Sequence, residues 1–220
     1  MKLYHFTAIS HMKAIMSEGL TKGEMPVSAT RSVNAVNFTT DKTGVGHGLC
    51  RAKFATPGFL SRKGHSLGVR DQVPMFADKH KVRITVDLDR SRVTRWMRWA
   101  KSNVEPSAMT ALIASGGGTA KARTWYFANR PICPTEFEDV EVRQDGRWVD
   151  ILDYEGPLTE TITDKVLMDG YAHWGRRLLT GLPKELGARL ENLIEHQDYI
   201  EPIQSRCCGR SDMARGGSSV

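Results

Sequence analysis

His5 is the residue of this sequence whose type and position best suit chemistry on a ligand. The segment Leu3-Tyr4-His5-Phe6-Thr7 has the composition of a short strand, and residues with helical spacing follow it. An imidazole at the end of a strand can donate a hydrogen bond from one ring nitrogen to a sugar hydroxyl while the backbone holds the other nitrogen. A single histidine here also fits a packing or helix-capping role, so its neighbours decide between the two.

A second polar group is predicted on the strand at 35–40, which reads Ala-Val-Asn-Phe-Thr-Thr. Side chains alternate between the two faces of a strand, so Val36 and Phe38 share one face while Asn37 and Thr39 share the other. The face that carries Asn37 and Thr39 is therefore available for polar contacts with a ligand.

The charge of the chain is unevenly distributed, although its net value is only +6. Residues 42–70 include six Lys or Arg and no acid, and residues 90–130 include eight Lys or Arg and one acid, Glu105. The segment 136–160 has the opposite sign, with nine carboxylates and two arginines. The two basic segments can attract the phosphates of a dinucleotide or of a nucleic acid. A solvated basic surface explains the same pattern without a ligand.

The elements that must position these residues are a mixture of strands and helices. Thr7 is suited to cap a helix that begins near Ile9 and ends at Gly19, and Asp89 is suited to cap a helix that carries Trp96 and Trp99. Alternating patterns predict further strands at 81–89, 123–129, 137–143 and 148–152, and helical spacing predicts helices at 163–179 and 183–197. The glycine-rich segment 41–80 predicts a long excursion that carries ligand contacts.

Several classes of protein and site are excluded by composition. The sequence has no apolar run of about 18 residues and no secretory signal, so we expect no membrane span and a cytoplasmic protein. Its four cysteines form no C-x-x-C pair, so we expect neither a zinc site nor a disulfide framework, and no other metal site is indicated. The spacing of Gly44, Gly46 and Gly48 differs from a dinucleotide-binding Gly-x-Gly-x-x-Gly, and no Gly-x-Ser-x-Gly of a hydrolase is present.

The order of the motifs resembles the ADP-ribosyltransferase superfamily. Tyr-His-Phe-Thr at 4–7 precedes a helix that closes in Glu-Gly-Leu at 18–20, and Asn-Phe-Thr-Thr-Asp at 37–41 stands where the family has a second strand. Trp-Tyr-Phe at 125–127 follows as a later strand. The layout is most similar to the tRNA 2′-phosphotransferases, the toxins that ADP-ribosylate DNA and the PARP-like branch, and the resemblance covers about residues 2–143.

The resemblance implies a cofactor and residues that bind it. His5 matches the histidine that hydrogen-bonds a ribose hydroxyl of NAD, and Thr7 matches its neighbour in the same pocket. Asn37 stands where many members have a tyrosine that stacks on nicotinamide, and an asparagine cannot stack. The resemblance also places a further set of residues beside the cofactor, namely Phe6, Phe38, Thr39, Thr40 and Tyr126.

The sequence departs from the family at the catalytic glutamate, which lies just before the strand that Trp125 begins. Arg123 and Thr124 stand there instead. A neutral or positive group cannot stabilise a developing oxocarbenium cation as a carboxylate does. Three explanations stay open. Glu136 or Glu138 moves into the site from the following segment, or basic residues such as Arg31, Arg51 and Arg123 recognise a phosphorylated nucleic acid whose phosphate NAD accepts. In the third, the domain binds NAD or ADP-ribose without catalysis.

We therefore expect an α+β domain at 1–153 with two small packed sheets and an NAD cleft between them. A helical extension at 154–204 and a disordered tail at 205–220 are expected to follow. The expected function is NAD-dependent transfer of ADP-ribose to a macromolecule, either nucleic acid or protein, or transfer of a phosphate to NAD. The alternatives are a catalytically inactive module that binds nucleic acid or protein, and an NAD glycohydrolase. The sequence indicates no oligomeric state.

Overall fold

A computed structural model describes residues 1–62, 75–178 and 182–196, without the side chains of 60–62 and 176–178. It confirms the α+β class. The strands are β1 (Lys2–Thr7), β2 (Glu24–Pro26), β3 (Ser32–Asn34), β4 (Val36–Thr39), β5 (Lys53–Phe54), β6 (Met75–Phe76), β7 (Val82–Asp87), β8 (Thr94–Arg95), β9 (Trp125–Ala128), β10 (Phe137–Gln144) and β11 (Arg147–Asp150). The helices are α1 (Met12–Glu18), α2 (Pro57–Arg62), α3 (Trp96–Asn103), α4 (Pro106–Ser115), α5 (Thr119–Ala122), α6 (Asp164–Leu178) and α7 (Lys184–His196).

Seven of the strands join into one antiparallel sheet, in the order β11-β10-β7-β1-β4-β9-β8. β2 pairs with β3 and β5 pairs with β6 in two-stranded sheets. The expectation of two small packed sheets is therefore wrong for the main strands. The physical reason is a narrow joint between β1 and β4, where a single pair of residues, Tyr4 and Thr39, is in register. On its other side, β1 pairs with β7 over six residues.

One face of the large sheet forms the main hydrophobic core. Leu3 on β1, Phe38 on β4 and Ile84 on β7 point to this face, and all three side chains are buried. Helix α1 covers them with Met12 and Ile15. Burying these side chains supplies the main driving force for the fold, at roughly 25 cal/mol per Å² of apolar surface.

The opposite face of the sheet carries a buried cation. The guanidinium of Arg83 on β7 donates from Nε and Nη2 to Glu141 Oε2, at 2.8 and 2.6 Å, and from Nη1 to the carbonyl oxygen of Lys42 at 3.0 Å. The same guanidinium lies 4.5 Å from the Trp148 ring centroid and 5.7 Å from that of Tyr4. Alternation along β7 puts Arg83 on this face, because Val82 and Ile84 point into the main core.

Two predicted helix caps have other roles in the structure. Thr7 is the last residue of β1 and pairs with Val82, so it cannot begin the helix. A short 3₁₀ turn from Ile9 to His11 leads into α1 instead. Asp89 caps a 3₁₀ turn by accepting a hydrogen bond from the amide of Ser91 at 2.7 Å, because β8 intervenes before α3.

The C-terminal helices α6 and α7 form their own small core with β5. Phe54, Leu167 and Leu190 are buried together, and Trp174 Nε1 donates a hydrogen bond to the carbonyl oxygen of Ala55 at 2.6 Å. Among the helices that the structure describes, none combines the length and apolar content that a membrane span needs. The tail predicted at 205–220 and part of the predicted excursion, 63–74, lie outside the described residues.

Candidate functional site

His5 lies at the joint where the large sheet is held by one residue pair. Its side chain is half-buried, and Nδ1 lies 2.8 Å from the carbonyl oxygen of Asn37 on β4. A carbonyl oxygen only accepts hydrogen bonds, so Nδ1 carries the proton and donates it. The imidazole thus binds a backbone group of β4 beyond the Tyr4–Thr39 pair.

The charge state of His5 follows from its surroundings. Burial lowers the pKa of His5, the Asn37 carbonyl opposes this, and the nearby Lys79 and His11 lower it slightly, so that it stands at about 4. The ring is therefore neutral at pH 7, and Nε2 is an acceptor. None of the described residues forms a hydrogen bond with Nε2. Nε2 of His5 can accept a hydrogen bond from a hydroxyl rather than donate one to it, which reverses the direction expected from the sequence.

A row of side chains extends from His5 across the same face of the sheet. The Phe38 ring meets the His5 ring edge-on, with centroids 5.9 Å apart. Phe38 is in register with Tyr126 on β9, and Tyr126 is in register with Arg95 on β8. Phe6 points to the opposite face and packs near Trp148, with ring centroids 6.3 Å apart. The structure therefore places Phe38 and Tyr126 on the face of His5, and Phe6 away from it.

Thr7 is on the same side of β1 as His5 but is buried. Its Oγ1 lies 3.2 Å from Nδ1 of His11, one turn further along the chain. This contact holds the start of the helical segment against β1.

The hydroxyl groups of Thr39 and Thr124 are in contact at the C-terminal end of β4, and each hydrogen bond they form has a defined donor. Thr124 Oγ1 donates to the carbonyl oxygen of Lys121 at 2.7 Å, so its 2.8 Å contact with Thr39 Oγ1 is donated by Thr39. Thr39 Oγ1 in turn accepts from the amide of Asp41 at 3.0 Å. Both hydroxyl protons are therefore in use, and Thr124 brings neither charge nor a free proton to the position of the family's glutamate.

Sequence reasoning did not single out Asp41, the carboxylate next to this chain. Oδ1 of Asp41 accepts from the amide and the hydroxyl of Thr43, both at 2.9 Å, and Oδ2 accepts from Lys121 Nζ and from His47 Nε2. Burial alone would raise the pKa of Asp41, but the hydrogen bonds from Lys121, Thr43 and His47 hold it well below its usual range. Asp41 is thus ionised, and the Lys121 ammonium compensates its charge.

His47 uses both ring nitrogens in this network. Nε2 donates to Asp41 at 3.2 Å, and Nδ1 accepts from Trp125 Nε1 at 2.9 Å. Burial lowers the pKa of His47, so the ring stays neutral in this one tautomer. His47 therefore anchors the loop after β4 to the start of β9.

Two glycine-rich loops are in direct contact beside His47. A Cβ on Gly117 would stand 2.0 Å from the carbonyl oxygen of Gly46, and Gly117 has a φ of +88°. Both facts require glycine at 117. The Gly-His-Gly at 46–48 and the three glycines at 116–118 are the sequence signal for this contact.

The other predicted site residues have separate surroundings. Asn37 is exposed, and its Nδ2 donates to the carbonyl oxygen of Glu24 at 3.2 Å. The exposed Thr40 donates its amide to the carbonyl oxygen of Thr124 at 3.0 Å. Arg31 is exposed at the turn between β2 and β3, and Arg51 is exposed before β5.

Glu136 forms an ion pair with Arg92, and its Oε2 accepts from the Cys133 amide at 3.0 Å. The Arg92 hydrogen bond lowers the pKa of Glu136. No hydrogen bond or ion pair links Glu136 to His5 in the described part of the chain. Arg123 is exposed, and its carbonyl oxygen accepts from Arg95 Nη2 at 3.4 Å.

Tyr126 lines a cavity of about 630 Å³ together with three arginines, Arg90, Arg95 and Arg98. The sequence predicted basic character between 90 and 130 but not which of its arginines would converge. Within the described ranges, no three His, Cys, Asp or Glu side chains lie close enough together to hold a metal ion.

No family model, no curated protein and no solved structure matches this chain. Its function is therefore inferred from its own residues and from the resemblance that its motifs carry.

Proposed function

We propose that the protein is an NAD-dependent transferase that breaks the bond between nicotinamide and ribose and moves ADP-ribose to a macromolecule. The observation that supports this is the state of His5. Its ring is neutral, Nδ1 is held by the Asn37 carbonyl, and Nε2 is an acceptor with no partner among the described residues. A ribose hydroxyl is a donor of the kind that such an acceptor binds.

In this proposal NAD lies along the joint between β1 and β4. The sheet is weakest there, because one residue pair connects the two strands. Phe38 and Tyr126 lie on the His5 face of the sheet, whereas Asn37 and Thr39 on β4 point to the opposite face. In this proposal the polar group that fixes the cofactor on the His5 face is the imidazole itself, beside the Tyr126 ring.

The chemistry differs from that of the family because Thr124 replaces the glutamate. Breaking the glycosidic bond develops positive charge on the ribose, which a carboxylate stabilises. Asp41 is joined to Thr124 through Thr39, but Lys121 compensates its charge. In the proposed reaction, Asp41 is the source of negative charge in the site. Because Lys121 compensates this charge, the transfer is slow.

The absence of the glutamate favours a second candidate function. With Thr124 neutral and Asp41 paired to Lys121, the scaffold fits a module that binds nucleic acid or protein and does not react. The two candidates share the His5 site and differ in whether nicotinamide is released.

One experiment separates the two. The protein is incubated with NAD labelled in its adenylate part, with RNA, DNA and protein as acceptors, and nicotinamide release and label transfer are both measured. We expect nicotinamide release and label on one class of acceptor. His5→Asn keeps a donor for the Asn37 carbonyl but loses Nε2, so it is expected to lose NAD affinity. His11→Asn is the matched control, because His11 is exposed and bonds Thr7.

Each outcome has a defined meaning. NAD binding without nicotinamide release favours the binding module, and nicotinamide release without a labelled acceptor favours an NAD glycohydrolase. Absence of NAD binding by the unaltered protein, or equal affinity in His5→Asn and the unaltered protein, refutes the proposed site.

A further inference from the structure

The cavity beside Tyr126 is lined by three arginines from one stretch of sequence, which lie in three consecutive elements. Arg90 comes from the 3₁₀ turn after β7, Arg95 ends β8, and Arg98 lies in the first turn of α3. The chain brings them together because it crosses from β7, near the middle of the sheet, to β8 at its edge.

These arginines lack acidic partners in the part of the chain that the structure describes. None of the three forms an ion pair there, and their one side-chain hydrogen bond in the described residues runs from Arg95 Nη2 to the Arg123 carbonyl.

The carboxylates of the surrounding segments are engaged elsewhere. Asp87 pairs with the amino group of Met1, Asp89 accepts from the Ser91 amide, and Glu136 pairs with Arg92. Guanidinium groups that share one cavity repel each other, and a bound anion would relieve that repulsion.

We propose that this cavity binds the phosphate groups of a nucleotide. A guanidinium presents donors in a planar fork that matches phosphate oxygens, and three arginines line this cavity. The volume of about 630 Å³ is within the range of small-molecule sites, and the Tyr126 ring offers a flat surface to a sugar or base. The phosphate belongs either to a free nucleotide or to a nucleic-acid strand.

The position of the cavity relative to His5 follows from the sheet. Tyr126 is two strands from His5, and neighbouring strands lie about 4.8 Å apart, so roughly 10 Å separates the two backbone positions. The inference goes beyond the proposed function, and it stands without any transfer reaction, because phosphate binding needs neither the His5 ring nor bond cleavage.

The test compares two substitutions on the same helix. Arg98→Gln removes a cation that lines the cavity, and Lys101→Gln removes one that does not. Both residues are exposed on α3, glutamine is a good helix former, and each change lowers the net charge equally. Binding of ADP, of adenosine and of a ten-nucleotide single-stranded DNA is measured by calorimetry at one fixed salt concentration.

We expect ADP to bind more tightly than adenosine, with a loss of about tenfold in Arg98→Gln and less than twofold in Lys101→Gln. Binding of the DNA but not of ADP, with the same difference between the variants, assigns the phosphate to a nucleic-acid strand. Equal losses in the two variants, or binding of neither ligand, overturn the inference. ADP has no nicotinamide ribose, so this result is independent of whether NAD reacts at His5.

Discussion

The neutral state of His5 makes the stability of the fold depend on pH in a way that one substitution removes. Burial lowers the pKa of His5 from 6.5 to about 4, so between these values the unfolded chain takes up a proton that the folded chain does not. The free energy of unfolding therefore falls as the pH is lowered through this window. In His5→Asn the side-chain amide can donate to the Asn37 carbonyl and does not titrate, so this component of the pH dependence is lost.

The size of the effect follows from proton linkage. A group whose pKa is 6.5 in the unfolded chain and about 4 in the folded one contributes a loss of about 2 kcal/mol between pH 7 and pH 5. Partial exposure of the ring reduces this, so we expect about 1–2 kcal/mol. His47 also has a lowered pKa and acts in the same direction, but it is present in both proteins and cancels in the comparison.

The assay is urea unfolding of the unaltered protein, His5→Asn and His5→Gln at pH 7, 6 and 5. His5→Gln has no donor at the position of Nδ1, so the Asn37 carbonyl loses its partner and the variant should be less stable than His5→Asn at pH 7 by about 1 kcal/mol. Equal pH dependence in the unaltered protein and His5→Asn would show that the ring protonates freely. The fold would then not hold the ring neutral, and the reasoning about ribose binding, which starts from that neutral state, would lose its support.

Two further predictions concern the surroundings of the site, both measured by urea unfolding at pH 7. Gly117→Ala should destabilise the protein by at least about 2 kcal/mol, because its Cβ meets the Gly46 carbonyl. At Gly118 a Cβ would have open space, so Gly118→Ala bears only the cost of the φ of +91°, about 1–2 kcal/mol. Equal losses in the two variants would contradict the loop contact. Glu141→Leu should lower the free energy of unfolding by about 3–5 kcal/mol, because it leaves the buried Arg83 without its carboxylate. Arg83→Met should lower it by less, because Glu141 is partly exposed. A larger loss in Arg83→Met than in Glu141→Leu would contradict the assigned burial.

Local patterns in the sequence were sufficient to place most of the elements. Alternation predicted strands at 35–40 and 81–89, and the structure has β4 at Val36–Thr39 and β7 at Val82–Asp87. Helical spacing likewise predicted α6 and α7. These predictions succeed because side-chain periodicity is set by the element itself and needs no knowledge of its neighbours.

The pairing between strands could not be predicted from local sequence patterns. The continuity of the large sheet depends on the Tyr4–Thr39 pair, which links residues 35 positions apart, and no pattern in either segment specifies it. Thr7 has the composition of a helix cap, yet its pairing with Val82 keeps it in β1. Tertiary hydrogen bonding thus overrides the local preference.

The contacts of the candidate site could not be predicted from local sequence patterns either. Asp41 and Lys121 are 80 positions apart, so their pairing became visible only in the fold. Glu136 was a candidate to replace the missing glutamate, but its role depends on Arg92, which a separate segment brings to it. Charge counts found the basic segments, whereas the crossing from β7 to β8 determines which arginines share a cavity.

A contrast between two histidines supports the proposal that His5 binds a ligand. Where strands separate, backbone groups lose their partners, and side chains must replace them. His47 is fully engaged by side chains instead, with one ring nitrogen on the Asp41 carboxylate and the other on the Trp125 indole. His5 satisfies the Asn37 carbonyl with one nitrogen and keeps the second as an acceptor on a half-buried ring. The unengaged Nε2 is therefore the acceptor that the proposed ribose hydroxyl would bind.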